Sequence, residues 1–155
     1  MKAAVFSDTH GNGALMLEAV RCYRPDVVIH LGDGERDLDK LRPEFPEIAV
    51  YNVCGNCDFC SSAPLCDTVP LGPVKAFITH GHTYGVDRGN DSLVYAAQEQ
   101  NCRIAFYGHT HRPERTELGG VTVINPGSAG KGARPTWAAV EVFDNGGFAC
   151  SIQEL

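Results

Sequence analysis

The feature that most constrains the fold of this chain is the alternation of short apolar runs with helical segments along its first half. Apolar runs of this length, bounded by polar residues and turn signals, are typical of buried strands. Strands are predicted at Lys2–Ser7, Asp26–Asp33 and Ile48–Asn56, with a helix that starts at an Asn12 N-cap and a short helix at Asp37–Leu41 that ends before Pro43. Because strand–helix–strand units form right-handed crossovers, the chain should begin as β-α-β-α-β with parallel strands.

The second half predicts a change to antiparallel pairing. Two strand-like segments flank Gly72-Pro73, and two more flank Asn145-Gly146, a dipeptide that favours tight hairpin turns. Between these hairpins, a helix should begin at an Asp91 cap, and a buried strand should end at Gly108. We therefore expect a single α/β domain over residues 1–155, a length that suits one sizeable core.

Charge and cysteine content restrict the partners and the compartment. The formal net charge of −6 argues against nonspecific nucleic-acid binding, for which a basic stripe is the usual footprint. A phosphate substrate stays open, because bound metal ions can reverse the local field. No apolar stretch approaches the length of a membrane span, so we expect no membrane partner. The seven cysteines are scattered and no secretory signal is visible, which predicts a cytoplasmic protein with reduced thiols.

Polar residues follow the ends of five separate apolar runs. Four of these residues form two i, i+2 pairs, and side chains at that spacing in an extended chain point the same way. Ligands of open α/β sheets bind beyond the carboxyl ends of the strands, so these side chains should meet at one edge. They are Asp8, His10, Asp33, Asn56, His80, His109 and His111.

This mixture of imidazole, carboxylate and amide groups is typical of a divalent metal site. Such ligands suit manganese, iron, cobalt, nickel or zinc. Two such ions roughly 3.5–4 Å apart can clamp a phosphate for in-line displacement and lower the pKa of bound water. The pattern therefore predicts a metal-dependent enzyme that acts on phosphate esters.

The motifs that carry these residues resemble the ordered set of the calcineurin-like metallophosphoesterase superfamily, and most closely its small single-domain bacterial and archaeal phosphodiesterase branch. The segments are Asp8-Thr9-His10, Gly32-Asp33, Gly55-Asn56-Cys57-Asp58, His80 within Thr79–His82, and Gly108–His111. The resemblance implies a two-sheet β-sandwich flanked by helices, in four layers α-β-β-α. It also implies a phosphodiesterase whose nucleophile is a hydroxide that bridges two divalent ions.

The same resemblance implies a ligand set. Asp8, His10, Asp33 and His111 would hold the first ion, and Asp33, Asn56, His80 and His109 would hold the second. Manganese is the expected metal, with nickel, cobalt, iron, zinc and magnesium as alternatives. The substrate would be a small phosphate ester.

The cysteines of the Cys54–Cys60 segment raise a second interpretation, a thiolate metal site. The bacterial ferredoxin spacing would place its fourth ligand at Pro64, which argues against it. Under the resemblance, Cys57 stands where many superfamily members have a histidine that assists the leaving group. A thiol is a weak donor, and the neighbouring Asp58 should keep it protonated, so we expect weak leaving-group assistance.

The predicted catalytic residues are accordingly Asn56, Cys57, Asp58 and His82. Behind the site, His30 should pack or hydrogen-bond near Asp33, and the Asn125–Ser128 segment resembles a family loop near the centre. Two arginines, Arg112 and Arg134, are candidate phosphate contacts.

Four alternatives to a phosphodiesterase stay open. The same centre could serve a phosphomonoesterase, a pyrophosphatase or a nuclease, or the fold could be a noncatalytic scaffold, as in the retromer subunit that this branch resembles. An intact ligand set disfavours the scaffold. An exposed edge strand could also support a homodimer.

Overall fold

The computed structural model describes residues 1–155, which form ten strands and three α-helices. The strands are β1 (Lys2–Phe6), β2 (Val27–His30), β3 (Ala49–Asn52), β4 (Cys66–Leu71), β5 (Val74–Thr79), β6 (Ile104–Phe106), β7 (Glu114–Leu118), β8 (Val121–Asn125), β9 (Thr136–Val142) and β10 (Phe148–Glu154). The helices are α1 (Ala14–Tyr23), α2 (Leu38–Glu44) and α3 (Asp91–Glu99), and single 3₁₀ turns occupy Glu35–Asp37 and His82–Tyr84.

The strands form two five-stranded mixed sheets. The first has the order β10-β9-β1-β2-β3, in which β1, β2 and β3 are parallel. The second has the order β4-β5-β6-β8-β7, in which β5, β6 and β8 are parallel. The β-α-β-α-β start predicted from the apolar runs is confirmed, as are both hairpins, β4–β5 and β9–β10.

Three apolar clusters show that the sheets and helices stack in four layers. The largest lies between the two sheets and draws residues from both, including Val5, Ile29 and Ile78. A second cluster packs α1 and α2 on the outer face of the first sheet, where Met16 is fully buried. A third packs α3 on the outer face of the second sheet through Leu93. The predicted α-β-β-α sandwich is therefore confirmed.

Five local features differ from the predictions. Helix α2 runs through Pro43 to Glu44 rather than ending before the proline. The N-caps of α1 and α3 are Gly13 and Asn90, one residue away from the predicted caps. Strand β7 was missed because its exposed sequence Glu114–Leu118 has no apolar alternation, and its partner β8 runs parallel to β6 rather than antiparallel.

The topology places the carboxyl ends of both sheets' parallel strands at one edge of the sandwich. The loops after β1, β2 and β3 meet there with the loops after β5, β6 and β8, as the hydrogen bonds between them show. The Asp8 N–H donates to the Gly32 carbonyl, Gly108 N–H to that of His80, and Ala129 N–H to that of Ser7. None of the helices is long and apolar enough to span a bilayer.

Candidate metal centre

Unusual backbone conformation marks the predicted ligands. Eight non-glycine residues have positive φ, and five of them belong to the predicted ligand set. These five are Asp8, His10, Asp33, His109 and His111, with φ between 49° and 67°. Left-handed backbone costs such residues of order 1 kcal/mol each, and strain of this kind concentrates at functional sites.

This backbone corrects the expected reason for convergence. The i, i+2 spacing predicts that the two side chains of each pair point the same way, provided that the chain is extended there. Instead, β1 ends at Phe6 and β6 ends at Phe106, and both pairs lie in loops. Their side chains meet because left-handed residues turn these loops back across the sheet edge.

One carboxylate oxygen of Asp8 accepts hydrogen bonds from the protein, and the other faces imidazole rings. The Ser7 hydroxyl donates to Oδ2 at 2.6 Å, and the His109 backbone N–H donates to the same atom at 3.1 Å. The other oxygen, Oδ1, lies 3.1 Å from Nε2 of His111 and 3.8 Å from Nε2 of His10. The side chain is fully buried, so this orientation is fixed by the fold rather than by solvent.

Asp33 occupies the position between the two halves of the centre. Its Oδ1 accepts the Cys57 backbone N–H at 2.7 Å. Its Oδ2 lies 3.6 Å from Nε2 of His80 and 4.0 Å from Nε2 of His10. Gly55 passes so close that a Cβ there would overlap the Asp33 carboxylate, which explains the glycine.

The second half of the centre is built around His80. Its Nδ1 donates to the Leu31 carbonyl at 2.8 Å, and its Nε2 lies 3.0 Å from Asn56 Oδ1. The His109 ring packs edge-on at 5.2 Å between centroids. Nε2 of His109 lies 3.1 Å from Oδ2 of Asp87, a carboxylate that orients the ring. No sequence pattern singles out Asp87.

The donor atoms fit divalent ions better than they fit one another. Within each of three groups, candidate ligand atoms lie within 4.8 Å: Asp8, His10 and His111; Asp8, Asp33 and His80; and His10, Asp33 and Cys57. The Nε2 atoms of His10 and His111 are 3.3 Å apart. A divalent cation would satisfy lone pairs that converge in this way, and the donors are those of borderline divalent metals.

Burial and a nearby cation act on His10. Burial lowers its pKa first, and the positive charge of Lys131 lowers it further, against the opposing effect of Asp8 and Asp33. The neutral imidazole is the form that binds a metal, so both effects favour a ligand.

Asp58 is placed differently from the prediction. Rather than facing the centre, its carboxylate accepts four backbone N–H groups. The donors are Asp33, Gly34, Glu35 and Gly55, at 2.7–3.1 Å. Burial raises the pKa of Asp58, but these bonds outweigh it and the net shift is downward. Asp58 therefore ties the Asp33 loop to the Asn56 loop.

Cys57 lies at the centre with its thiol protonated. Its Sγ receives the Asn56 amide N–H at 3.4 Å. A hydrogen bond to the Asp33 carboxylate raises the pKa of Cys57 most, and burial raises it further. The protonation was expected from Asp58, whereas the main cause is Asp33. Cys57 is the only cysteine in any candidate metal group, so the thiolate-cluster interpretation finds no support.

His82 and His30 flank the ligands. The His82 ring lies 5.4 Å from that of His80 and 6.1 Å from that of His109, and its buried Nδ1 has no hydrogen-bond partner. Burial lowers the pKa of His82, and the two histidines lower it further. His30 is buried behind the Asp33 loop, accepts the Gly32 N–H at 3.2 Å and lies 3.2 Å from Thr9 Oγ1.

The Asn125–Ser128 segment holds two of the loops that carry predicted ligands. Asn125 Nδ2 donates to the Gly108 carbonyl at 2.9 Å, and the Ser128 hydroxyl donates to the Asp8 carbonyl at 2.8 Å. Of the predicted phosphate contacts, Arg134 pairs with Glu154 at 3.3 Å. The backbone N–H of Arg112 donates to Thr110 Oγ1 at 3.4 Å. Two cations that sequence reasoning missed, Arg36 and Lys131, line the groove beside the centre.

A four-layer α-β-β-α sandwich with carboxylates and imidazoles at its shared carboxyl edge defines the metallophosphoesterase class of fold. The chain belongs to the calcineurin-like phosphoesterase superfamily, whose domain profile matches residues 1–145.

Two curated relatives support this assignment. The probable metallophosphoesterase YsnB of Bacillus subtilis is 32% identical over 130 residues, which cover 83% of this chain and 75% of that protein. The phosphodiesterase MJ0936 of Methanocaldococcus jannaschii is 29% identical over 153 residues, which cover 82% of this chain and 83% of that protein.

Solved structures give the same fold. A predicted phosphoesterase from Streptococcus pneumoniae superposes with a TM-score of 0.77 at 28% identity, covering 99% of this chain and 97% of that one. Vps29 from Entamoeba histolytica, crystallised with zinc, superposes with a TM-score of 0.76, covering 99% of each chain. At 23% identity, the likeness to Vps29 concerns the fold alone.

Proposed function

We propose that this protein is a phosphodiesterase that uses two divalent metal ions, with manganese as the preferred metal. The observation that best supports this proposal is the convergence of free carboxylate oxygens and imidazole Nε2 atoms. Asp8 Oδ1 and Asp33 Oδ2 face the Nε2 atoms of His10, His80 and His111 at 3.1–4.0 Å.

Seven residues would hold the two ions. Asp8, His10, Asp33 and His111 would bind the first, and Asp33, Asn56, His80 and His109 would bind the second. When bound, such ions supply Lewis-acid stabilisation of phosphate oxygens and a water of lowered pKa. Asp33 lies between the two groups, with one oxygen fixed by the Cys57 N–H, so it is the residue suited to contact both ions.

Asn56 also orients its neighbours, and three further residues surround the ligands: Cys57, Asp58 and His82. Asn56 points its amide N–H at Cys57, which directs its carbonyl oxygen toward His80. The Cys57 thiol keeps its proton and is available as a weak donor to the leaving group. The His82 ring lies 5.4 Å from that of His80, and its buried Nδ1 has no hydrogen-bond partner. Asp58 acts only by positioning the two loops.

Diesters are favoured over monoesters by the weakness of that donor. A phosphodiester with a good leaving group needs little protonation as it departs, whereas an alkyl monoester needs more. The curated name of the MJ0936 relative, a phosphodiesterase, supports the same choice. The net charge of −6 disfavours long nucleic acids as substrates.

The test is hydrolysis of bis-p-nitrophenyl phosphate by metal-stripped protein titrated with manganese, beside an Asn56→Ala variant and an Asn52→Ala control. Asn52 lies on β3, where its Oδ1 accepts from Arg42 and its Nδ2 donates to the Glu35 side chain at 3.5 Å, so it contacts none of the seven proposed ligands. We expect manganese-dependent turnover that Asn56→Ala abolishes and Asn52→Ala retains. Two bound ions without turnover on any diester would overturn the enzymatic proposal in favour of a scaffold, and the absence of metal binding would overturn the centre itself.

A further inference from the structure

A groove opens directly beside the proposed centre. Its volume is about 450 Å³, and its inner wall is formed by His10, Asp33 and Cys57. The rest of the lining includes side chains that the proposed metal chemistry does not use, namely Arg36, Phe59 and Lys131 beside the acidic Glu35 and Asp37. A phosphate group alone would fill only a small part of this space, which lies in the range of pockets that hold whole small molecules.

Phe59 presents an uncovered aromatic ring at this groove. Its exposed fraction is 83%, the highest among the large hydrophobic residues of the chain. The residue before it, Asp58, is held by four backbone N–H groups, so the root of the Phe59 side chain is fixed beside the centre. A ring anchored in this way and left in water is suited to stack on a flat partner.

Lys131 also lines the groove. Its backbone N–H donates at 2.9 Å to the Ser128 hydroxyl, which in turn donates to the Asp8 carbonyl. Gly130 packs against the Thr9 backbone so closely that a Cβ would not fit. The Lys131 segment is therefore tied to the loop that carries two proposed ligands.

The charge of Lys131 is free for a ligand. Lys131 takes part in no ion pair with an acidic residue, unlike Arg21 or Arg134. Lys131 lines the groove together with His10 and Cys57. A lysine acts as a point charge for phosphate oxygens without demanding a fixed geometry.

We propose that the groove binds one ester group of the substrate, that Phe59 stacks on a planar aromatic ring in that group, and that Lys131 contacts the phosphate. The inference rests on the proposed phosphodiesterase function and narrows its substrate class. The favoured substrates are diesters that carry a nucleobase or a comparable flat ring. An aliphatic diester would leave Phe59 uncovered and the groove partly empty.

Binding of two product-like ligands tests this inference without turnover. Manganese-loaded protein is titrated calorimetrically with adenosine 5′-monophosphate and with ribose 5-phosphate, which share the phosphate but differ in the base. We expect the nucleotide to bind about tenfold more tightly, the effect typical of one base stacked on an aromatic side chain. In Phe59→Ala that preference should fall close to one, while ribose 5-phosphate binds as before.

Matched variants separate the two contacts. Phe143→Ala removes an aromatic ring that is 48% exposed outside the groove and should leave the preference intact. Lys131→Gln should lower the affinity for both ligands by the same factor, and Lys131→Arg should restore both affinities. The control variant Lys40→Gln should change neither affinity. Equal binding of the two ligands by the unmodified protein, or a base preference that survives in Phe59→Ala, would overturn the inference.

Measuring turnover and base preference separately distinguishes a failure of the groove assignment from a failure of the proposed phosphodiesterase function. Turnover of bis-p-nitrophenyl phosphate without a base preference would overturn the groove assignment and leave the phosphodiesterase standing. A Phe59-dependent base preference without turnover would support the groove as a nucleotide site and overturn hydrolysis.

Discussion

The Nε2 atom of His80 lies 3.0 Å from the Oδ1 atom of Asn56. Nδ1 of the same ring donates to the Leu31 carbonyl at 2.8 Å, and in the neutral tautomer that makes this bond Nε2 carries a lone pair. The amide oxygen of Asn56 is directed inward because its N–H group donates to Cys57. Two lone pairs at this separation repel each other unless a cation lies between them, and this pair supports the second metal position.

We predict that Asn56→Ala weakens the binding of the second ion and leaves the binding of the first unchanged. Loss of this ligand should lower the affinity of one manganese ion at least tenfold, since even outer-shell partners of metal ligands are worth about 10–100-fold. The ion held by Asp8, His10 and His111 should keep its affinity. Calorimetric titration of metal-stripped protein should therefore resolve one tight and one weak ion.

The Asn52→Ala variant serves as the control for that titration. Two ions of unchanged affinity in Asn56→Ala would show that Asn56 is not a ligand. Equal weakening of both ions would instead indicate a general disruption of the site.

We predict that Asp58→Asn destabilises the fold by about 3 kcal/mol at pH 7, because a carboxylate that accepts four backbone N–H groups is lost. An amide can present only one oxygen to these donors and leaves others unpaired. Urea denaturation of metal-free protein measures the effect. Asp39→Asn, on the exposed face of α2, should change the stability by less than about 0.5 kcal/mol.

The sign of the pH dependence gives a second readout for Asp58. Its pKa in the folded protein is lowered from the ordinary value of 3.8. The stabilisation is therefore complete above that value and is lost as the pH falls through the lower pKa of the folded state. The difference between the unmodified protein and Asp58→Asn should shrink in acid, and a constant difference would contradict the role assigned to the carboxylate.

We predict that His30 makes the protein sensitive to mild acid. Burial lowers its pKa from 6.5 to about 4, so the unfolded chain binds this proton first. Stability should fall as the pH drops from about 6.5 to about 4, by about 3 kcal/mol from this residue.

Metal-free His30→Asn tests this linkage by urea denaturation. The stability advantage of the unmodified protein over the variant should be about 2–3 kcal/mol smaller at pH 4.5 than at pH 7. An advantage that stays the same at both pH values would mean that His30 does not titrate with folding.

We predict that Cys57→His extends activity to poorer leaving groups. An imidazolium donates a proton far better than a protonated thiol, and general acid catalysis contributes about 10²–10⁴-fold where it is complete. The rate on a phenyl diester, relative to that on a p-nitrophenyl diester, should rise at least about tenfold. Cys60→His, at an exposed neighbouring position, should leave the ratio unchanged. An unchanged ratio in Cys57→His would exclude the thiol position from leaving-group assistance.

Much of the fold was predictable because its determinants are local. The runs that became β1, β2 and β5 are nearly continuous in apolar residues and are buried on both faces. Turn chemistry at Asn145-Gly146 specified the β9–β10 hairpin. Strand β7 could not be predicted in this way. It is exposed and polar, and it forms because the edge of β8 offers it a hydrogen-bonded partner.

The candidate site was predictable in composition but not in geometry. Its ligand types stand out in the sequence because each follows an apolar run. Nothing in the sequence indicated that Asp58 faces the backbone, that Ser7 fixes one oxygen of Asp8, or that Lys131 rather than Arg134 lines the groove beside the centre. These features depend on which loops become neighbours after the sheets pack.

By itself, the sequence determined most of the strands and helices and the chemical identity of the donor atoms, since hydrophobic periodicity and side-chain type are local properties. The four-layer sandwich followed only from the family resemblance. Only the tertiary structure decided how those atoms face one another. Asp8 and His111 are separated by 103 positions in the chain, yet their side chains lie 3.1 Å apart. That contact exists because two sheets bury a common apolar core and hold strained, left-handed loops against each other at the same edge.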